Sequence, residues 1–320
     1  GTAVAWLLLD GIDLWDAALI AAILSPTDAA LGLAVVESPR VPLRVRQAIN
    51  VESGLNDGLM LPAITILLAF AAAEAGMADP PGAGFVASQI GFGVLVGGGL
   101  GWAGGRLLDR AATRGWVDGI SRQLTTLAVG VGAYALAEVV GGNGFVAAFV
   151  AGVAFGHAAR DHCDGAYEFA VDEGRLLMLL TFLVFGVAIA GPVVGDLDWQ
   201  VIAYAVASLT IVRMVPVALS LIGTGLARPT VWFIGWFGPR GLASILFALF
   251  ILEEADLPAT DRILEVAAWT IFLSILLHGA TSHPLAQRYG AWFESKDDPS
   301  MPEAEDVAPM PTRRSPTPPG

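Results

Sequence analysis

The sequence predicts an all-α protein that crosses a lipid bilayer several times. Of its 320 residues, 55% are hydrophobic, and the mean hydropathy is +0.66. The charged residues are concentrated between apolar blocks of about twenty residues, which is the length that a helix needs to cross a hydrocarbon core of about 30 Å. We therefore expect a polytopic bundle of membrane helices in a lipid bilayer.

The apolar blocks divide the chain into a membrane domain over residues 1–290 and a tail over residues 291–320. Residues 1–9 are too short to cross alone, and no initiator Met or signal-peptide pattern is present, so we expect a chain truncated at its front. The tail is rich in Pro, Ser and acidic residues and is predicted to be disordered. The predicted spans are 15–36, 46–75, 85–108, 121–141, 143–158, 174–192, 199–224, 229–252 and 262–286.

The charges in the loops predict the orientation, because Lys and Arg accumulate on the cytoplasmic side of a membrane. Basic and acidic loops alternate along the chain, and this alternation predicts a cytoplasmic C-terminus. The basic loops contain Arg40, Arg44 and Arg46, then Arg106, Arg110, Arg114 and Arg122, then Arg160 and Arg175, then Arg228, then Arg288. The acidic loops contain Asp10, Asp13 and Asp16, then Asp79, then Asp196 and Asp198, then Glu253, Glu254 and Asp256.

Several classes of function lack their sequence signals. The single Cys163, in a predicted cytoplasmic loop, excludes a disulfide framework. The sequence has no soluble catalytic motif, phosphate loop, metal-spaced His and Cys cluster or nucleic-acid patch, so we expect neither an enzyme with a cofactor nor a nucleic-acid partner. The net charge of −13 comes partly from the acidic tail and does not indicate a partner.

Glycines recur at every fourth position in the span 85–108, at Gly93, Gly97, Gly101 and Gly105. Small residues at this spacing let helix backbones approach closely in lipid. The spacing predicts close helix packing, either inside one chain or across a dimer face.

Two carboxylates, Glu52 and Asp57, lie inside the apolar span 46–75. A charged side chain inside a membrane is energetically costly, so its presence there indicates a functional site. Asp57 is about 16 Å into the span at ~1.5 Å per residue, close to the middle of the bilayer. Residues four apart share a helix face, so Ser53 lies beside Asp57 and Asn56 lies beside Glu52.

Two other spans contain helix breakers. In the segment Ser25–Ala30, Pro26 disfavours helix at the residue before it, and a break at membrane depth is tolerated where the freed backbone lines a cavity or is buried. Thr27 and Asp28 follow this break; simple capping of the second half-helix is the alternative to an ion-binding role. A second break is predicted over residues 237–241, and two such breaks point to an inverted-repeat transporter.

The mid-span arginines, Arg213 and Arg240, need carboxylate partners because a guanidinium keeps its proton. We predict an ion pair between Glu52 and Arg213, with Arg240 as the second choice. Asp57 is then desolvated and unpaired, and free to exchange its proton for a cation. The ligands of a hard alkali cation would be Asp57, Ser53, the Thr27 carbonyl, Asp28 and water.

These motifs resemble those of bacterial sodium/proton antiporters in the monovalent cation:proton antiporter family, the NhaP-like branch related to sodium/proton exchangers. The similarity is carried by the core Glu52-Ser53-x-x-Asn56-Asp57 and by four further pieces in family order over nearly the whole chain. These pieces are Ser25–Leu31, Gly142–Phe145, Gly238–Gly241 and Leu277–Gly279.

The resemblance implies a multi-pass protein of the bacterial inner membrane, usually a homodimer, with an inverted-repeat helical bundle and two discontinuous crossing helices. It further implies that Asp57 binds the ion or the proton in competition, with Asn56, Ser53, Thr27 and Asp28 around it. The transported ions would be H⁺ and Na⁺, or alternatively K⁺ or Li⁺. Family members with Asn at the position of Asn56 look electroneutral, so the resemblance implies that this chain exchanges one cation for one proton.

Two alternatives stay open at this point. Asp28 and Asp57 could form the dyad of an intramembrane aspartic protease, although no Gly-x-Gly-Asp element precedes either residue. The chain could also be a non-transporting remnant of an antiporter. His278 could sense pH, or it could be hydrogen-bonded between helices.

Overall fold

The computed structural model of the chain is helical along most of its length. It describes residues 1–29, 31–159, 164–193, 197–254, 257–296, 298, 300–305 and 307. The helices are α1 (Thr2–Leu8), α2 (Leu14–Ile23), α3 (Leu33–Val36), α4 (Leu43–Glu74), α5 (Ala83–Thr113), α6 (Gly119–Val139), α7 (Gly144–Ala158), α8 (Asp164–Phe185), α9 (Gly191–Val193), α10 (Trp199–Leu209), α11 (Ile211–Ser220), α12 (Arg228–Trp236), α13 (Leu242–Glu254) and α14 (Thr260–Glu294). Cys163 lies outside the described residues.

Among the described residues, five helical segments are long and apolar enough to cross a membrane, and three shorter helices are also apolar. The long segments are Leu43–Glu74, Ala83–Thr113, Leu176–Val193, Trp199–Ser220 and Thr260–Glu294; the shorter helices are Leu14–Ile23, Gly144–Ala158 and Leu242–Glu253. Each predicted span coincides with one helix or with a pair of helices separated by a short interruption. The interruptions between α2 and α3 and between α12 and α13 fall where Pro26 and the segment 237–241 predict breaks.

The chain divides into two compact units, residues 1–60 with 181–320, and residues 61–180. In the second unit, the glycines of α5 lie against α7. A Cβ atom added at Gly97 would be 2.3 Å from the carbonyl oxygen of Ala147, and one added at Gly101 would be 2.3 Å from that of Ala151. The glycine stripe is therefore buried inside the chain, which is the first of the two alternatives that its spacing left open.

We expect Gly101→Ala to lower the stability of the protein by about 1–3 kcal/mol, since its methyl group would overlap backbone of α7 that cannot move aside. Gly99→Ala in the same helix is the matched control, because a Cβ there meets no atom within 4 Å. Thermal unfolding of both variants in detergent checks the prediction. Equal melting temperatures would contradict it.

The core of the first unit joins the start of α4 to α12 and the end of α14. Its buried residues include Val45 and Ile49 of α4 and Tyr289 of α14, and Phe233 stacks on Tyr289 with ring centroids 4.2 Å apart. Because α4 contains Asp57 and α12 leads into the second break, this core holds the two predicted site elements together.

Arg262 of α14 is the centre of a polar cluster that joins three segments of the first unit. Its guanidinium lies 2.6 Å from Asp198, 2.8 Å from Glu265 and 3.0 Å from Gln200, whose amide donates to Asp10 over 2.7 Å. Asp198, which precedes α10, accepts the N–H of Gln200, and this bond and then Arg262 hold the pKa of its carboxyl below the ordinary value. We call this group the Arg262 cluster.

The start of the tail differs from the prediction. Residue 291 falls inside α14, which continues to Glu294, and a 3₁₀ turn follows at Pro302–Ala304. Glu303 in this turn is 1% exposed. Composition predicted disorder because the segment has little apolar surface, but Glu303 has hydrogen-bond donors that composition does not reveal. Residues 308–320 lie outside the described residues.

Candidate functional site

The first break begins after Leu24, where the chain leaves α2. Thr27 is 4% exposed, and its backbone is held by Ser53 of α4. The Ser53 hydroxyl donates to the Thr27 carbonyl and accepts the N–H of Ala29 at 3.1 Å. Ser53 thus replaces two of the backbone partners that the helix would have supplied without the break. The structure brings Thr27 and Ser53 together, as the sequence predicted.

The second break covers residues 237–241, between α12 and α13. The backbone N–H of Arg240 donates to the Ser274 hydroxyl at 2.7 Å, and the Arg240 guanidinium donates to the carbonyl of Gly238 at 2.8 Å. Gly238 packs directly on Arg213, because a Cβ atom there would be 2.3 Å from the Arg213 Nε atom. A side chain at residue 238 would displace the arginine.

The two breaks contact each other and satisfy part of each other's backbone. The N–H of Asp28 donates to the carbonyl of Pro239 at 2.7 Å, and the N–H of Leu242 donates to the Asp28 carboxylate at 3.0 Å. Gly241 allows this approach, since a Cβ there would lie 2.2 Å from the carboxylate. Asp28 therefore caps α13, the half-helix of the other broken span, whereas the capping alternative had assigned it to its own span.

Glu52 and Arg213 form a bidentate ion pair. Arg213 Nη2 donates to Glu52 Oε2 at 2.8 Å, and Nη1 donates to Oε1. The Arg213 side chain is 8% exposed and that of Glu52 is 28% exposed. Paired charges with this geometry are the form in which a charge is tolerated in an apolar interior.

Arg240, the second choice as partner of Glu52, is 3% exposed and makes no direct bond to that carboxylate among the described residues. Its Nε atom is buried without a hydrogen-bond partner in the same part of the chain. The charges of Glu52 and Arg213 nevertheless lie close enough to Arg240 to act on it. Arg240 thus adds positive charge beside the ion pair.

Asn56 and Asp57 differ in their contacts. The Asn56 amide donates to Glu52 Oε1 at 3.4 Å, which confirms that these two side chains share a helix face. Asp57 makes no hydrogen bond or ion pair within the described ranges, and the charge of Asp28 lies close enough to act on it. The described part of the chain leaves Asp57 partly uncovered, while the atoms around its carboxyl group still desolvate it.

His278 belongs to α14 and is 1% exposed, and its side chain reaches the end of α12. Its Nε2 atom is 2.9 Å from the carbonyl oxygen of Trp236, the last residue of α12, and its Nδ1 atom is 2.9 Å from the carbonyl of Ser274. This geometry corresponds to the alternative of a histidine hydrogen-bonded between helices. Ser274 was missed in the sequence, although its position four residues before His278 on a helix was the available signal.

The oxygens that could hold a cation are the Asp57 carboxylate, the Ser53 hydroxyl and the Thr27 carbonyl. Such a set suits a hard monovalent ion, which prefers oxygen ligands. In the described residues there is no group of three or more His, Cys, Asp or Glu side chains that could hold a metal ion.

Two discontinuous helices in contact at their breaks, with a carboxylate on a neighbouring helix, are typical of a class of membrane transporters. The family model described as "Sodium/hydrogen exchanger, transmembrane" matches residues 1–288. The chain belongs to this sodium/hydrogen exchanger family, which confirms the resemblance. The intramembrane protease alternative has no support from this match.

Several characterised proteins are similar to the chain. The K⁺/H⁺ antiporter NhaP of Alkalimonas amylolytica is 28% identical over 312 residues, which cover 94% of this chain and 52% of that protein. The Na⁺/H⁺ antiporter NhaG of Bacillus atrophaeus is 26% identical over 309 residues, which cover 91% and 57%. The chain spans about half the length of the curated relatives it matches.

The fold is similar to that of the sodium proton antiporter MjNhaP1 from Methanocaldococcus jannaschii. The TM-score is 0.68 at 21% sequence identity, and the match covers 90% of this chain and 74% of that structure. The prediction of an all-α membrane bundle of antiporter type is thereby confirmed.

Proposed function

We propose that the protein exchanges a monovalent cation for a proton across the membrane and that the two ions compete for Asp57. The observation that carries this proposal is the contrast between the two carboxylates of α4. Glu52 is held by Arg213 in a bidentate pair, whereas Asp57 makes no hydrogen bond or ion pair within the described residues. A carboxylate without a fixed counter-ion can be neutralised by either a proton or a cation.

The two breaks supply the rest of the site. The Thr27 carbonyl and the Ser53 hydroxyl lie on the first break and on α4, so backbone and side-chain oxygens can replace part of the water shell of a bound ion. Asp28 caps α13 and holds the second break against the first. In this proposal Asp28 is a positioning residue with a possible ligand role, and Asp57 is the exchanging group.

One cation is exchanged for one proton in this scheme, because a single free carboxylate carries both. Asn56 is an amide and adds no second titrating group beside Asp57. The exchange is therefore proposed to be electroneutral. With Na⁺ as the driving ion, its rate should not change when a membrane potential is imposed.

Na⁺ is proposed as the transported ion, with K⁺ and Li⁺ as alternatives, because the similar proteins are named for both Na⁺ and K⁺ exchange. The protein is further proposed to be an inverted-repeat homodimer in the bacterial inner membrane with a cytoplasmic C-terminus. Residues 1–290 would form the exchanger domain and residues 291–320 the cytoplasmic tail. The basic clusters around Arg44, Arg110 and Arg228, which lie near helix ends, support this orientation.

The test is a proteoliposome assay with a pH dye in the lumen. Vesicles loaded with acid should become alkaline inside when Na⁺ or K⁺ is added outside, and choline should give no response. Comparing Na⁺, K⁺ and Li⁺ at equal concentration identifies the ion. No cation-driven change from correctly inserted protein would reject exchange and leave the non-transporting alternative.

A further inference from the structure

Glu303 is buried against the start of α12 although it belongs to the acidic tail. Its Oε1 atom accepts the backbone N–H of Ala227 at 2.8 Å and the hydroxyl of Thr230 at 2.6 Å. Thr230 is fully buried, and its hydroxyl also lies 3.0 Å from the hydroxyl of Tyr289 in α14. A carboxylate of the tail is thus enclosed between two helices of the first unit.

A second contact holds the same segment from the side of α4. The Arg44 guanidinium donates to the carbonyl of Pro302 at 2.7 Å and also pairs with the carboxylate of Glu305. Pro302 lies against Gly225, where an added Cβ atom would be 3.3 Å from the Pro302 ring. Residues 300–305 are therefore in contact with the start of α4, the loop before α12 and the start of α12. We call these residues the tail clasp.

The first turn of α12 contains no acidic residue, and Glu303 lies where such a residue would accept hydrogen bonds from the helix start. The first N–H groups of a helix have no partner inside the helix, and its N-terminus favours negative charge. In a capping box, a Glu three residues into the helix accepts the N–H of the capping residue. In α12 that position is Thr230, which donates to Glu303, while Glu303 accepts the N–H of the capping residue Ala227. The tail supplies the carboxylate that α12 itself lacks.

The other end of α12 leads to the candidate site. Trp236 is the last residue of α12, its carbonyl is next to His278, and the second break with Arg240 follows directly. The helix α12 has nine residues, and its backbone hydrogen bonds fix its length. Holding its first residue in place therefore also holds its last residue, Trp236, in place.

We propose that the start of α12 is a binding site for an acidic segment, that its occupant is the tail clasp of the same chain, and that Glu303 is thereby a positioning residue for the second break. The binding part of this proposal is independent of ion exchange. The positioning part rests on the proposed function and is tested by measuring the rate of ion transport.

The binding part is tested by amide hydrogen exchange in the purified full chain. In Glu303→Ala we expect residues 227–231 to exchange roughly tenfold faster, because a charge-assisted hydrogen bond at the helix start is lost. The control is Glu74→Ala, which removes an exposed carboxylate at the end of α4 that makes no contact with residues 300–305 in the described part of the chain. Glu303→Gln keeps an acceptor oxygen and should give an intermediate rate; it also serves if the alanine variant does not fold.

The results separate the possibilities. Faster exchange confined to residues 227–231 and 300–305 supports the clasp, whereas unchanged exchange there, or an increase spread over the whole chain, overturns it.

In proteoliposomes, Glu303→Ala should lower the maximal rate of cation-driven proton movement several-fold and leave the half-saturating cation concentration unchanged, because Ser53 and Asp57 are intact. A clasp that opens without any change in the maximal rate overturns the positioning role. If the unaltered protein shows no exchange, the proposed function and with it the positioning role are rejected, and the clasp is decided by hydrogen exchange alone.

Discussion

Asp57→Asn is expected to reduce cation-driven proton movement to the level of vesicles without protein. The amide has nearly the same shape as the carboxylate, but it neither titrates nor carries the charge that holds a cation. Because Asp57 makes no hydrogen bond or ion pair in the described part of the chain, the variant should fold normally. Dye-loaded proteoliposomes measure the loss, and thermal unfolding in detergent measures the folding.

Glu74→Gln is the matched control for this variant, since Glu74 is an exposed acid at the end of the same helix. It should exchange ions at the unaltered rate. Asp57→Glu keeps a carboxylate and should retain part of the activity. If Asp57→Asn still transports, the exchanging group is another residue.

The second large effect is expected from the ion pair of Glu52 and Arg213. Removing one partner of a buried pair leaves the other charge uncompensated, which costs about 3–5 kcal/mol. Since the Glu52 side chain is 28% exposed, we expect the lower end, about 3 kcal/mol, for Arg213→Met and for Glu52→Gln. Thermal unfolding in detergent measures the loss.

The double variant Glu52→Gln with Arg213→Met should be less destabilised than the sum of the single variants, because neither member of the pair is left charged without the other. Arg213→Lys keeps the charge but loses the two parallel hydrogen bonds, so it should fall between the single variants and the unaltered protein. Arg110→Met, at an exposed position of α5, is the control for loss of an arginine. Strict additivity of the single variants would show that Glu52 and Arg213 do not interact.

Much of the helical framework could be predicted because it depends on local sequence. Apolar blocks give the lengths of the spans, and Pro26 removes a donor and restricts its neighbour whatever the surrounding fold is. Glu52 and Asn56 are four residues apart on one helix, so their contact follows from helix geometry. These features need no knowledge of which helices are neighbours.

Other features depend on contacts between distant segments and could not be predicted in this way. Capping of its own half-helix was the alternative to an ion-binding role for Asp28, but its carboxylate accepts the N–H of Leu242, far along the chain. The exposure of Asp57 depends on which helices cover it, and helix periodicity does not contain that information. The glycine stripe of α5 predicted close packing, but it could not tell a neighbouring helix from a second chain.

The tail shows the same limitation. Composition describes the average tendency of a segment, and an acidic segment rich in Pro is on average disordered. One side chain with two donors in reach can nevertheless fix a short turn. The sequence signal that was available is the absence of Glu or Asp from the first turn of α12, which leaves that helix start without a carboxylate of its own.

The contact between the two breaks also has a mechanical consequence. Asp28 receives its backbone acceptor from Pro239, and α13 receives its cap from Asp28, so neither broken segment is complete without the other. A displacement of the first break relative to the second would leave the N–H of Asp28 and the carboxylate of Asp28 without their partners in an apolar surrounding. The two segments should therefore travel as one piece during transport, with the bending confined to the peptides that flank them. An ion held between Thr27 and Asp57 would be carried by a moving block instead of being passed between separately moving helices.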